Sequence, residues 1–195
     1  MRANPTAAKE RTAIREACKL DLFALCRILY RHAKVPMTRT FHLPICDWLQ
    51  RTEAEPIRLL LTQRGSYKTG VFNAAKNVQR ILRDPETRLL IASNKAENAE
   101  GMLSELKACL TNEVLIWAFP DILTRDPERQ APRWTTGSIT VKRKRQRREA
   151  TVETIGLEGE LTSRHYDHIT YDDLVGEKNS QSRDMVLATI DWWQK

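Results

Sequence analysis

Apolar residues at Ile14, Ala17, Cys18, Leu22, Leu25, Ile28 and Leu29 follow a 3.6-residue period. That period predicts a helix over residues 7–33 with one buried stripe. Leu43-Pro44 opens a second, short helix, since proline is favoured in a first turn; Ile45, Trp48 and Leu49 form its inner face and Pro56 closes it. The pattern changes at Ile57. Ile57–Thr62 is apolar apart from Arg58 and Thr62, which predicts a buried strand. Helical spacing returns from Lys68 to Leu82, with Val71, Phe72, Ala75, Val78, Ile81 and Leu82 inward, and Asp84-Pro85 ends it. Thr87–Ala92 predicts a strand. Asn94 and Glu97 resemble a capping box for a helix lined by Ala99, Leu103, Leu106 and Leu110. Residues 112–137, with three prolines, read as irregular. Ser138–Val141 and Ala150–Ile155 predict a hairpin, His168–Tyr171 a last strand, and Gln181–Lys195 a final amphipathic helix with Val186, Ile190 and Trp193 on one side.

Strands alternating with helices imply crossover connections. The expected fold is α/β, a mainly parallel central sheet flanked by helices, with a helical region at 1–55 and the strand-bearing core at 56–195. In such sheets ligands bind at the carboxyl ends of the strands.

Composition changes this picture in one place. The chain of 195 residues carries a net charge of +7, and Lys142, Arg143, Lys144, Arg145, Arg147 and Arg148 supply six positive charges within seven residues. Removing these six from the 32 basic residues leaves 26 against 25 acidic ones, so the basicity is local. Near the tip of the predicted hairpin, these residues are candidates to neutralise DNA phosphates, contacts that carry no sequence information. A solvated hairpin tip or a localisation-like patch is the simpler alternative. Cys18, Cys26, Cys46 and Cys109 contain no CxxC pair, so neither a zinc site nor a disulfide framework is implied, and Cys18 and Cys26 on the apolar helix face read as small hydrophobes. No apolar run is long enough to cross a bilayer, and the first twenty residues lack a signal-peptide core, so a cytosolic protein without a membrane role is expected.

Thr62-Gln63-Arg64-Gly65-Ser66-Tyr67-Lys68-Thr69 stands between a predicted strand and a predicted helix. It meets the phosphate-loop pattern G-x-x-x-x-G-K-[ST] at Lys68-Thr69, but Thr62 and Tyr67 occupy the two glycine places. A helix N-terminus offers free N–H groups to phosphate, a lysine there reaches the β- and γ-phosphates, and the following hydroxyl ligates magnesium. Gly65 adds backbone freedom and Arg64 a second cation able to pair bidentately. The Tyr67 Cβ is positioned to crowd the phosphates. The plain alternative is an exposed basic turn that starts a helix.

His168–Tyr171 ends in Asp172-Asp173. In phosphate-loop ATPases a second strand ends in an acid that holds magnesium, and a following carboxylate can orient and deprotonate the attacking water. Asp172 fits the first role and Asp173 the second. Aspartate is one methylene shorter than the usual glutamate, so the water sits closer or Glu177 assists.

With both segments placed, the chain resembles the large terminase subunits of tailed bacteriophages over nearly its whole length. Similarity lies in the phosphate loop with its arginine before a glycine, in Asp21-Leu22-Phe23, in Phe41-His42-Leu43 with Cys46-Asp47-Trp48-Leu49, in Ile91-Ala92-Ser93 and in Phe119-Pro120-Asp121. The most specific stretch is Thr162-Ser163-Arg164-His165-Tyr166-Asp167 leading into Tyr171-Asp172-Asp173-Leu174-Val175. The resemblance implies a RecA-like ATPase using ATP and magnesium, assembled as a homo-oligomeric ring on a viral portal in the host cytoplasm. It implies work with the small terminase subunit to drive double-stranded DNA into a procapsid. It maps the γ-phosphate-sensing arginine to Arg64, leaves a trans-acting arginine open among Arg125, Arg129 and Arg133, and places adenine contacts near Trp48 and His42. The chain stops before the family's coupling segment and nuclease domain, so no DNA cleavage is expected of it. Two other readings stay open: a helicase-like nucleic-acid-dependent ATPase, and a non-hydrolysing DNA-binding or oligomer-assembly module.

Overall fold

A computed structural model describes residues 5–33, 36–63, 65–157, 159, 164–176 and 180–194. Helices α1 (Pro5–Leu20), α2 (Leu22–Leu29) and α3 (His42–Arg51) come first. The expected single helix over 7–33 is two. The break falls at Asp21, whose carboxylate accepts from Ala24 N at 2.9 Å and caps α2. Gln50 on α3 braces the break, its side chain bonding Leu22 N and Leu20 O at 2.8 and 2.7 Å.

Residues Ile57–Thr62 join no sheet ladder among the described residues, so the expected strand there is not observed. Their outward side chains, Ile57, Leu59 and Leu61, are 72%, 74% and 82% exposed, while Arg58, Leu60 and Thr62 are half-buried. Arg58 Nη1 donates to Leu49 O at 3.0 Å and ties the segment to α3. An apolar run fixes neither pairing nor burial on both faces, because both depend on a neighbouring strand.

The helix beyond the loop begins with a π-helical turn, Gly70–Ala75, and continues as α4 (Lys76–Arg83), buried on almost every side. Then come β1 (Leu89–Ser93), α5 (Ala96–Leu110), α6 (Glu113–Ala118), α7 (Pro127–Gln130), β2 (Arg133–Trp134), β3 (Ser138–Thr140), β4 (Val152–Gly156), β5 (His168–Tyr171) and α8 (Arg183–Gln194). The stretch 112–137 is therefore less irregular than its prolines suggested. Asn112 caps α6 by accepting from Val114 N and Leu115 N at 3.0 and 3.4 Å. The expected capping box at Asn94 is absent: Asn94 Oδ1 accepts from Asn98 Nδ2 instead, and Lys95 precedes α5 without a side-chain cap.

The sheet has the order β2-β3-β4-β1-β5. It is mixed rather than mainly parallel. β1 pairs parallel with β4 (Leu89 opposite Val152) and with β5 (Leu89 opposite His168), whereas β2–β3 and β3–β4 are antiparallel. The reason is the expected hairpin itself: the connection 141–151 holds no helix, so β4 can only return antiparallel to β3. A further cause is that Ile57–Thr62 contributes no parallel pairing.

One apolar core runs through these elements, from Cys18, Leu22 and Leu25 through Leu49, Val78 and Leu82 to Ile91, Leu103, Leu106, Phe119 and Val152. All four cysteines are buried and free, Cys18 and Cys26 as the helix face suggested. Arg15 stacks over the Phe119 ring at 4.6 Å, forms a two-point pair with Asp121 and donates to Ala118 O at 2.8 Å. Phe119 and Asp121, two of the family-like residues, thus fasten α1 to the chain after α6. Among the described residues no helix is long and apolar enough to cross a membrane.

Gly156, at the carboxyl end of β4, faces the start of α5. A Cβ there would lie 2.6 Å from Ala96 N, a backbone atom that cannot swing aside. Gly156→Ala is expected to cost ~1–3 kcal/mol, as forced overpacking does. A thermal melt within a degree of the parent would contradict this.

The largest surprise in the core is ionic. Lys76, 1% exposed, lies 3.0 Å from Glu53, which also pairs with Arg80 at 3.6 Å and Arg83 at 2.6 Å. Burial draws the Lys76 ammonium down to about 8 despite Glu53. Burial works to raise the Glu53 carboxyl, but bonds from Lys76 and Arg83 outweigh it and leave it below its ordinary value. His168, beginning β5 beside this cluster, is drawn down to about 4, by burial first and then by Arg80. Its folded pKa lies below the unfolded one. The stability it contributes is therefore present above about 6.5 and lost as pH falls toward about 4. We expect His168→Gln to flatten the acid limb of the stability–pH curve, by ~2 kcal/mol after allowance for partial exposure. Unfolding curves across that window check it; an unchanged limb would contradict it.

Candidate nucleotide site

The site forms where the loop after Thr62 meets the carboxyl end of β5. Asp172 N donates to Ala92 O at 3.1 Å, which extends the β1–β5 ladder by one residue and fixes the Asp172 carboxylate at the sheet's rim. Thr69 Oγ1 donates to Asp172 Oδ2 at 3.1 Å, and Lys68 Nζ stands 3.5 Å from Asp172 Oδ1. Three of the residues singled out from sequence, 103 and 104 positions apart, are thus in contact.

The loop is braced internally. Ser66 Oγ donates to Gln63 O at 2.7 Å and shares a 2.9 Å bond with Thr62 Oγ1. Gly65 has φ +76°, the left-handed region that glycine enters freely. Tyr67 has φ +54°, a conformation a bulky residue adopts only when its surroundings enforce it. Its ring packs on Tyr30 at 5.8 Å, and Tyr30 Oη donates to Gly70 O at 2.8 Å. The ring is thus turned toward the end of α2, and Tyr67 still borders the cavity. The π-helical turn follows at once; such turns concentrate at functional sites.

A cavity of about 420 Å³ opens over the loop, lined by Gln63, Gly65, Lys68, Thr69, Glu105 and Asp173 among others. Asp173 has φ +48°, a left-handed conformation aspartate tolerates, and is one residue beyond the metal candidate. Glu105 was missed from sequence. It lies off the apolar stripe of α5, where a glutamate reads as solvent-facing, and only packing brings it within 3.4 Å of Tyr30 Oη. Burial raises its carboxyl above the ordinary value, against the Tyr30 hydrogen bond. No local signal marks it.

The other sequence candidates fall elsewhere. Arg64, Thr162, Ser163 and Glu177 lie outside the described residues. Neither His42 nor Trp48 lines the cavity; His42 is buried with Nδ1 accepting from Thr38 N at 2.9 Å, and Trp48 packs against the core. Arg133 pairs with Glu153 at 3.5 Å and Arg129 with Asp126 at 3.7 Å, while Arg125 is exposed. Arg164 and Tyr166, from the family-like stretch, both bind the buried Glu153, and Asp167 pairs with Arg88 at 2.7 Å. These residues fasten the approach to β5.

Among the described residues no three His, Cys, Asp or Glu side chains gather to hold a metal by themselves. The donor set at the rim suits magnesium carried by a nucleotide: a hydroxyl and a carboxylate as hard oxygen ligands, with the rest left to phosphate and water. No protein-family model matches the chain, and no curated protein matches it.

Proposed function

We propose that the chain is a phosphate-loop ATPase with a RecA-like core. We further propose that it is the ATP-hydrolysing part of a phage large terminase subunit, driving double-stranded DNA into a procapsid. The observation that carries the first step is the meeting of Lys68 and Thr69 with Asp172 at the carboxyl end of β5. The second step rests on the family resemblance and on the basic loop.

In this reading Gln63 to Thr69 surround the phosphates, and Lys68 exchanges Asp172 for the β- and γ-phosphates. Thr69 and Asp172 would hold magnesium, which supplies neutralisation of phosphate charge. Asp173, one residue on and lining the cavity, orients the attacking water and takes its proton. Arg64 stabilises the γ-phosphate. The partners are duplex DNA, a portal, the small terminase subunit and copies of the same chain in a ring, on the procapsid in the host cytoplasm.

A non-hydrolysing assembly module is the second reading, favoured by Tyr67 at the place of a glycine. Magnesium-dependent ATP turnover by the chain, beside Lys68→Ala, separates the two. Turnover that the variant loses supports the ATPase. ATP binding without turnover limits the chain to a site completed by a neighbour. Absence of ATP binding overturns the ATPase reading.

A further inference from the structure

The basic run divides into anchored and free side chains. The connection between β3 and β4 is held chiefly by backbone: Lys144 N and Arg145 N both donate to Glu86 Oε1, at 2.7 and 3.1 Å. Burial works to raise the Glu86 carboxyl, but those two N–H donors outweigh it and keep it ionised and low. Arg143 turns inward and donates to Arg147 O and Glu149 O at 3.3 and 2.8 Å, serving the loop's own shape. Lys142 donates to Pro120 O at 3.1 Å.

Lys144, Arg145 and Arg147 instead line a cavity of about 670 Å³, together with Arg80, Arg83 and Arg88. It lies at the amino ends of β1 and β5, whereas the phosphate loop meets the carboxyl end of β5. Its far wall is tied down by hydrogen bonds and ion pairs. Arg88 is clamped two-pronged by Asp167, and Arg83 by Glu53 and Lys19 O. Arg80 is 7% exposed, held by Glu53 at 3.6 Å from its Nε and by Asn77 Oδ1 at 2.8 Å from its Nη1. Six cations around an open cavity outnumber its four acids, Glu53, Asp84, Glu86 and Asp167, each of which bonds within the protein through at least one oxygen, although Glu86 Oε2 has no partner.

We propose that this cavity is a second anion site, which grips successive phosphates of a nucleic-acid backbone between the loop residues Lys144, Arg145 and Arg147 and the arginine wall of α4 and Arg88. A long polyanion fits better than a compact one, because the cations without ion-pair partners among the described residues, Lys144, Arg145 and Arg147, follow one another along a loop beside an open cavity. The site rests on the reading of the chain as a DNA-handling protein and is independent of ATP turnover. It sets DNA and nucleotide at opposite ends of the sheet.

Because the loop is anchored through backbone N–H groups, Lys144→Ser/Arg145→Ser/Arg147→Ser keeps its anchor, and a thermal melt verifies the fold. Binding of a short duplex of arbitrary sequence is measured across salt concentrations, beside a Lys142→Ser/Arg148→Ser control outside the cavity. The triple variant is expected to lose roughly tenfold or more at low salt, and its log–log salt slope to shrink by about 2–3. The control stays close to the parent. An unchanged triple variant, or an equal loss in the control, overturns the site in favour of diffuse charge. Displacement of the duplex by equimolar pyrophosphate also overturns it, assigning the cavity to a compact anion. If the parent binds no duplex while turning over ATP, this site fails alone; if it binds duplex without ATP turnover or binding, the ATPase reading fails alone.

Discussion

Lys68→Ala is expected to reduce magnesium-dependent ATP turnover by ~10²-fold or more, the scale on which removing one fixed charge from a developing transition state acts. The same change should hardly touch the fold. The Lys68 side chain is about one-third exposed, its partner is Asp172, and Asp172 keeps both the Thr69 hydroxyl and its ladder bond to Ala92. The stability change is then ~1 kcal/mol or less, as for other solvent-accessible ion pairs. That split between activity and stability is what makes the experiment decisive. Turnover unchanged in the variant would remove Lys68 from the chemistry. A large loss of stability would show instead that the Lys68–Asp172 pair is structural.

Glu53→Ala should have the largest effect on stability, ~3–5 kcal/mol, because it strands Lys76 in the core beside Arg80 and Arg83. Urea unfolding with an unchanged denaturant slope would measure it. The sign with pH follows from Lys76. Its folded pKa is about 8, below the unfolded value, so the unfolded state binds more protons above about 8 and stability rises there. The deficit of Glu53→Ala should therefore shrink on the alkaline side, where Lys76 sheds its proton. Replacing both partners by methionine should recover much of the loss, since well-packed apolar pairs replace buried ion pairs at little cost. A loss under 1 kcal/mol in the single variant would mean that Gln79, whose Oε1 lies 3.0 Å from Lys76 Nζ, and solvent suffice for the lysine.

Short-range pattern located the amphipathic helices, the strands at Leu89–Ser93 and His168–Tyr171, and the hairpin carrying the basic run. It also placed Lys68-Thr69 and Asp172-Asp173 at element ends, because each pair is contiguous and stands where a periodic pattern starts or stops. It failed at Ile57–Thr62, where a strand-like run lacks a ladder, and at Tyr67, whose side chain could be judged only once Tyr30 stood beside it.

What the sequence by itself determined is the α/β class, the helical opening, and the two segments, 62–69 and 172–173, that the structure brings into contact. Those follow from periodicity and from motifs a few residues long. Tertiary structure alone decided that the sheet is mixed, that Glu105 lines the cavity over the loop, that Glu53 pairs with Lys76, and that Glu86 pins the basic loop while Lys144, Arg145 and Arg147 share a cavity with Arg80, Arg83 and Arg88. Each of these joins residues distant in the chain. Their energies come from burial and charge pairing, which depend on where the backbone brings side chains together and leave no periodic trace along it.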